Sequence, residues 1–192
     1  VLENIYRSFD ELVKVRRYPT SSADFDYEAK CDKPTDKREI YVMIIGEASR
    51  AANWQLYGYD RATNPRLSTE ENLVVYKNVV TQCNATHKSV PLILSSVSAD
   101  NHSEIYERRG IVQLYKDAGF RTLVVSCQAP NRSLIQMMCD EADQTIYMNG
   151  LNDGAMLEPL RETIATDTSD LFVVMHCYGS HFNYRERYPN QF

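Results

Sequence analysis

Hydrophobic positions along the chain fall into two regimes. In the first, "NIYRSFDELVKVRRY" places Ile5, Phe9, Leu12 and Val13 at helical spacing, with Val15 and Tyr18 nearby, which predicts a short amphipathic helix. The stretch after it, "PTSSADFDYEAKCDKPTDKRE", is polar, charged and punctuated by proline, and reads as a linker or arm. The second regime opens at Ile40. "IYVMIIG" is a continuous apolar run ending at Gly46, the pattern of a strand covered on both faces. "NLVVYKNVV" is a further extended candidate, less buried. "GIVQLYKDAGF" puts Ile111, Leu114, Tyr115 and Ala118 on one helical face, with Gly119 in a C-terminal capping position.

From there the pattern alternates. "RTLVVS", "QTIYM" and "LFVVM" read as strands; "NRSLIQMMCDEA" and "GAMLEPLRETIA" read as helices, the latter with Pro159 near its start. Strand, helix, strand, helix, strand with short connections predicts an α/β fold with a mostly parallel central sheet flanked by helices. The expected division is 1–38, an amphipathic helix and polar linker, and 39–192, the α/β domain.

Composition adds little to that picture. The chain of 192 residues is 43% hydrophobic, 24% charged and 10% aromatic, ordinary for a folded domain. A formal net charge of −5 argues against nucleic acid as a partner. No apolar run approaches the roughly 18 to 20 residues of a membrane helix. The five cysteines have no Cys-x-x-Cys spacing, which disfavours a zinc ribbon or a thioredoxin-type motif. Cys127 and Cys139 are a candidate disulfide in an oxidising compartment, against the alternative that they are small buried hydrophobes.

In parallel sheets ligands gather beyond the carboxyl ends of the strands. Glu47 and His176 each follow such a strand directly and are expected at one edge. A carboxylate ending a buried strand needs a cation or several donors. Arg50 offers an ion pair, and a metal ion is the alternative. In "TQCNATHKSVPLILSS" a polar turn runs into an apolar segment that predicts a buried helix, with Thr86 at or near its N-terminus. There Thr86 is either an N-cap or a nucleophile facing a phosphoryl or sulfuryl group, with Asn84, His87 and Ser89 as further polar options. His176 and His181 lie five residues apart across a Gly-Ser turn and are candidates for a metal or an anion.

Three blocks of this sequence resemble the phosphoethanolamine transferases, whose catalytic domain belongs to the alkaline phosphatase and sulfatase superfamily. "GEASRAANWQLYGYDRATNPRL" is similar to the family's Gly-Glu-(Thr/Ser)-x-Arg and Gly-Tyr-x-Arg-x-Thr-x-Pro-x-Leu elements; Gly58, Tyr59, Arg61, Thr63, Pro65 and Leu67 all fit. "CNATHKSVP" resembles the nucleophile turn, one residue shorter counted from Cys83, with Thr86 in the nucleophile position. "HCYGSHFNYRERYP" resembles the His-x-x-Gly-Ser-His…Arg-Tyr-Pro segment. The resemblance runs from residue 41 to the end.

It implies an alkaline phosphatase-like α/β/α fold, here incomplete at the C-terminus, with Glu47 as zinc ligand and Thr86 as zinc ligand and nucleophile. His181 would stabilise the phosphoryl group or hold a second, weaker zinc, and Asn131 and Arg132 fall where relatives bind ethanolamine. The family's other zinc ligands lie in an Asp-His-Gly segment that does not occur before Phe192, so two of four are expected here. The implied reaction passes phosphoethanolamine from phosphatidylethanolamine to lipid A or another envelope glycan. The implied setting is the periplasmic domain of a bacterial inner-membrane protein, anchored by a segment outside this sequence. Residues 1–38 would correspond to the stretch leaving the membrane. Two alternatives compete: a sulfatase-like hydrolase or phosphodiesterase, disfavoured because no C/S-x-P-x-R string occurs, and a non-catalytic binding module lacking the full metal site.

Overall fold

A computed structural model describes residues 2–33 and 36–190. Pro34 and Thr35 of the polar linker, and the end of the chain at Gln191 and Phe192, lie outside the described residues. Four strands, β1 (Ile40–Ile45), β2 (Arg121–Ser126), β3 (Gln144–Tyr147) and β4 (Leu171–His176), form one sheet in the order β1-β4-β2-β3. All pairings are parallel, as the alternation predicted. β4 is central and buried at every position, which is why it reads as an unbroken apolar run.

Alternate residues of β2 and β4 serve opposite faces. Val124, Phe172 and Val174 pack against α1 (Leu2–Ser21), α2 (Thr86–Ile93), α3 (Ile111–Asp117) and α4 (Leu134–Cys139). Leu123, Val125, Leu171, Val173 and Met175 pack against α5 (Leu157–Thr166) and the turn before it. The result is the expected α/β/α layering. α3 ends as its sequence predicts: Gly119 adopts φ +90°, and the Gly119 and Phe120 N–H groups donate to the carbonyls of Lys116 and Tyr115. Those two bonds close a Schellman cap.

Three sequence expectations change. β1 is not covered on both faces: it is an edge strand, and Ile44 is 65% exposed. Of its six residues only Ile45 is buried. "NLVVYKNVV" forms no strand, because no neighbouring strand offers it a ladder; Val74, Tyr76, Val79 and Val80 are exposed. Cys127 and Cys139 do not pair. They lie in the two cores on opposite faces of the sheet, and all five cysteines are free. Burial pushes the Cys139 thiol up to about 12 and the Cys127 thiol up to about 11, so both stay protonated.

α1 is longer than its apolar stripe suggested, and only its C-terminal part is buried. Ile5, Phe9 and Leu12 are exposed, whereas Tyr18 is fully buried. Tyr18 anchors the helix by donating its hydroxyl to Glu141 Oε1 at 2.6 Å. The same carboxylate accepts from the Gly110 N–H at 2.9 Å and lies 3.9 Å from Arg109. Downstream, the Tyr27 hydroxyl donates to the Arg109 carbonyl, and Lys33 pairs with Asp170. Asp170 also accepts from the Glu39 N–H at the entry to β1.

Burial raises the pKa of Glu141, against the lowering effects of Tyr18, Gly110 and Arg109. A raised folded-state pKa contributes stability below the unfolded value, and that contribution is lost as pH climbs through the folded value. Removing the Tyr18 donor raises Glu141 further. Tyr18→Phe is therefore expected to cost about 1–3 kcal/mol at neutral pH. The cost should shrink below the ordinary glutamate value of 4.5, where Glu141 is protonated. Urea unfolding of both proteins across that range checks it.

Candidate active site at the carboxyl edge of the sheet

The site is assembled from the carboxyl ends of three parallel strands and the start of one helix. Glu47 follows β1 by two residues. Immediately after it Ala48 adopts φ +49°, a left-handed conformation that costs a residue with a Cβ on the order of 1 kcal/mol or more. This turn directs the chain away from the sheet just past Glu47, leaving its carboxylate at the edge.

Glu47 makes no ion pair with Arg50 among the described residues. Its partners come from elsewhere in the chain. Thr86 Oγ1 lies 3.2 Å from both Glu47 oxygens and donates to them. Thr86 is the first residue of α2, and Ala85, in extended conformation, occupies the N-cap position. The threonine hydroxyl is therefore not used as a cap. It faces Glu47 at the positive end of the helix dipole, where an anion is stabilised.

Gln128, two residues beyond β2, completes the cluster. Its Nε2 is 3.1 Å from Glu47 Oε2, 3.1 Å from His176 Nε2 and 3.1 Å from the Cys177 carbonyl. Two N–H groups face three acceptors, so the amide divides its donors among them. His176, the last residue of β4, is buried. Burial lowers its pKa, opposed by the negative charges of Glu47 and Asp153. A neutral ring can accept from Gln128 at Nε2 when Nδ1 carries the proton.

The third block is held from below. Asp153 Oδ1 accepts from the Tyr178 N–H at 2.8 Å. A Cβ on Gly179 would lie 2.3 Å from Asp153 Oδ2, so a larger residue would displace the carboxylate that holds the Tyr178 N–H. Beyond that turn His181 lies between the rings of Tyr178 and Phe182, with centroids 4.7 and 4.2 Å away. Its Nδ1 is buried without a partner. Among the described residues His181 makes no hydrogen bond to Glu47 or Thr86.

Asn131 and Arg132 serve the loop that starts α4. Asn131 Oδ1 accepts from the Ser133 N–H at 3.1 Å, and Arg132, at φ +57°, donates its N–H to Gln136. Asn131 borders a cavity of about 20 Å³ that also touches Gln128 and His176; Arg132 does not line it. The geometry thus joins Glu47 to Thr86 and leaves His181, Asn131 and Arg132 outside that contact. Gln128 escaped the sequence reading, although the strand-end rule that selected Glu47 covers it equally.

Among the described residues no group of three or more His, Cys, Asp and Glu side chains converges as a metal site. Glu47 and Thr86 do present adjacent oxygen donors suited to zinc, two of the four that such an ion takes. The Nδ1 of His181 is a further unpartnered nitrogen donor.

Comparison with known proteins identifies a family. The sulfatase family profile covers residues 39–192. Phosphoethanolamine transferase EptA of Escherichia coli is 32% identical over 169 residues, spanning 81% of this chain and 30% of its own length. Phosphoethanolamine transferase CptA of Salmonella typhimurium is 26% identical over 172 residues, with 82% and 30% covered. The chain thus spans less than a third of these curated relatives. The crystal structure of the C-terminal periplasmic domain of EptC from Escherichia coli, in complex with Zn, superposes with a TM-score of 0.78 at 25% identity. That alignment covers 84% of this chain and 49% of the other. The chain belongs to the sulfatase family, and the curated relatives it resembles are named phosphoethanolamine transferases.

Proposed function

We propose that this chain carries the nucleophilic half of a zinc-dependent phosphoethanolamine transferase active site. The observation that carries this reading is the Thr86 hydroxyl, set at the N-terminus of α2 and donated to both oxygens of Glu47. The donor is phosphatidylethanolamine, and the acceptor is a cell-envelope glycan such as lipid A. The domain works on the periplasmic side of a bacterial inner membrane; its solved relatives include periplasmic domains. No helix among the described residues is long and apolar enough to cross a membrane.

The transfer runs in two displacements. In the first, Thr86 Oγ1 bonds to the phosphorus of the donor as its bond to the diacylglycerol oxygen breaks, and diacylglycerol departs with a proton. In the second, an acceptor hydroxyl bonds to phosphorus, the Thr86–phosphorus bond breaks, and the acceptor's proton returns to Thr86. The dipole of α2 favours the anionic phosphoryl oxygens throughout. Glu47 orients the hydroxyl, and Gln128 holds Glu47. His181 offers a donor to the phosphoryl group. Zinc held by Glu47 and Thr86 would lower the hydroxyl pKa and take up charge on the phosphodiester.

Two outcomes test this reading. Thr86→Ala should lower phosphoethanolamine transfer to lipid A at least about a thousandfold while leaving the circular dichroism unchanged, as loss of a nucleophile does. Transfer within a few-fold of the parent would dismiss Thr86. Release of free phosphoethanolamine to water, in place of transfer, would identify a hydrolase. Separately, Gln128→Ala should weaken zinc binding about 10–100-fold in titration calorimetry, because it frees the carboxylate that the amide orients. An unchanged affinity would show that Gln128 does not position the ligand.

A further inference from the structure

Past His181 the chain doubles back on itself. Asn183 takes a left-handed conformation at φ +67°, and one turn of 3-10 helix follows at Tyr184–Glu186. The Arg187 N–H closes that turn on the Tyr184 carbonyl at 2.9 Å. The reversal returns Arg187 to the segment that carries His181. Its guanidinium carbon lies 4.0 Å from the centre of the Tyr178 ring, well inside the reach of a cation–π contact. Arg187 heads the Arg-Tyr-Pro string, and the transfer steps above make no use of it.

Among the described residues the His181 ring is held by packing alone. Its side chain makes no hydrogen bond there, and its Nδ1 is buried without a partner. Two aromatic rings, Tyr178 and Phe182, therefore set its direction. They differ in how firmly they stand. Phe182 is 73% exposed and has little around it to resist rotation. Tyr178 is fastened at three points: its N–H donates to Asp153, its ring packs on the core beneath α5, and Arg187 lies over the ring. The apolar core contact has no preferred direction, whereas a cation is drawn specifically to a ring face. Arg187 spends its own side chain on this contact. It makes no side-chain hydrogen bond or ion pair among the described residues, and its Nε is buried without a partner. A buried N–H left unpaired is costly, and the Tyr178 ring is the interaction that offsets the cost.

We propose that Arg187 is a positioning residue: its guanidinium fixes the Tyr178 ring, which in turn aims His181 at the transferring group. This rests on the transferase reading, in which His181 offers a donor to the phosphoryl group.

A double-mutant cycle tests it. Arg187→Met removes the charge and keeps a long apolar side chain. It should lower kcat for phosphoethanolamine transfer roughly tenfold with KM changed less than about twofold, the size of a partly desolvated cation–π contact. Arg187→Lys, which restores a cation, should recover most of that loss. In a His181→Ala background Arg187→Met should cost nothing further. Parental kcat in Arg187→Met, a lysine no better than methionine, or the full loss repeated in the His181→Ala background would each overturn the proposal. Should Arg187→Met fail to fold, Tyr178→Leu carries the same cycle, since it removes the ring and keeps the N–H that Asp153 holds. Parental kcat in that variant would overturn the proposal equally.

A second readout needs no substrate. The chain has four histidines, and ring currents from Tyr178 and Phe182 should displace the His181 ring signals in the proton NMR spectrum. In Arg187→Met those signals should move, while His87, His102 and His176 keep theirs. Unmoved His181 signals overturn the proposal whatever reaction the site performs. Moved signals, with His181→Ala transferring at the parental rate, overturn the phosphoryl role of His181 and with it any part for Arg187 in transfer.

Discussion

Glu47 is a carboxylate at the edge of a sheet, and its charge must be met by donors brought from other parts of the chain. Leaving it unmatched would cost more than most single interactions in a domain return. The structure meets it with a threonine from the start of α2 and an amide from beyond β2. Each partner is positioned by its own element, so the contact cannot form until the sheet is ordered and α2 has packed on it. The position of Gln128 follows from β2 lying next to β4, which places it within reach of both His176 and the end of β1.

The same dependence extends to the arm. Tyr18 closes a buried network around Glu141 that joins α1, α4 and the Arg109–Gly110 turn. Its hydrogen bonds lie beneath the sheet face that carries α2. The arm is thus fastened to the layer from which Thr86 projects. Outside that network the first turns of α1 are solvated, with Leu2 83% exposed. Anchoring comes from one buried phenol and its partners, not from the length of the apolar stripe.

How much of this was legible in the sequence depended on how each signal is generated. β2, β3 and β4 stood out because strands paired on both sides, or covered on a face, must be apolar. β1 produced the same apolar run for a different reason, and an edge position cannot be read from composition. Residues 72–80 misled because β-branched residues suit a strand, yet pairing requires a neighbour. Glu47 and Thr86 were legible since each occupies a special place, a strand end and a helix start, inside a specific motif. Gln128 sits at a strand end too, but a glutamine there points to no particular chemistry until its three acceptors are seen together. The Glu47–Arg50 ion pair was plausible from spacing, but Thr86 and Gln128 meet the Glu47 carboxylate instead.

The central claim is that the Thr86 hydroxyl becomes the carrier of the transferred group, and it is tested most directly by looking for the adduct. The protein would be mixed with phosphatidylethanolamine in the absence of acceptor, digested, and mapped by mass spectrometry. The account predicts a phosphoethanolamine modification on the peptide containing Thr86, removed when acceptor is added. A modification on another residue, or turnover of donor with no adduct at any time, would contradict it.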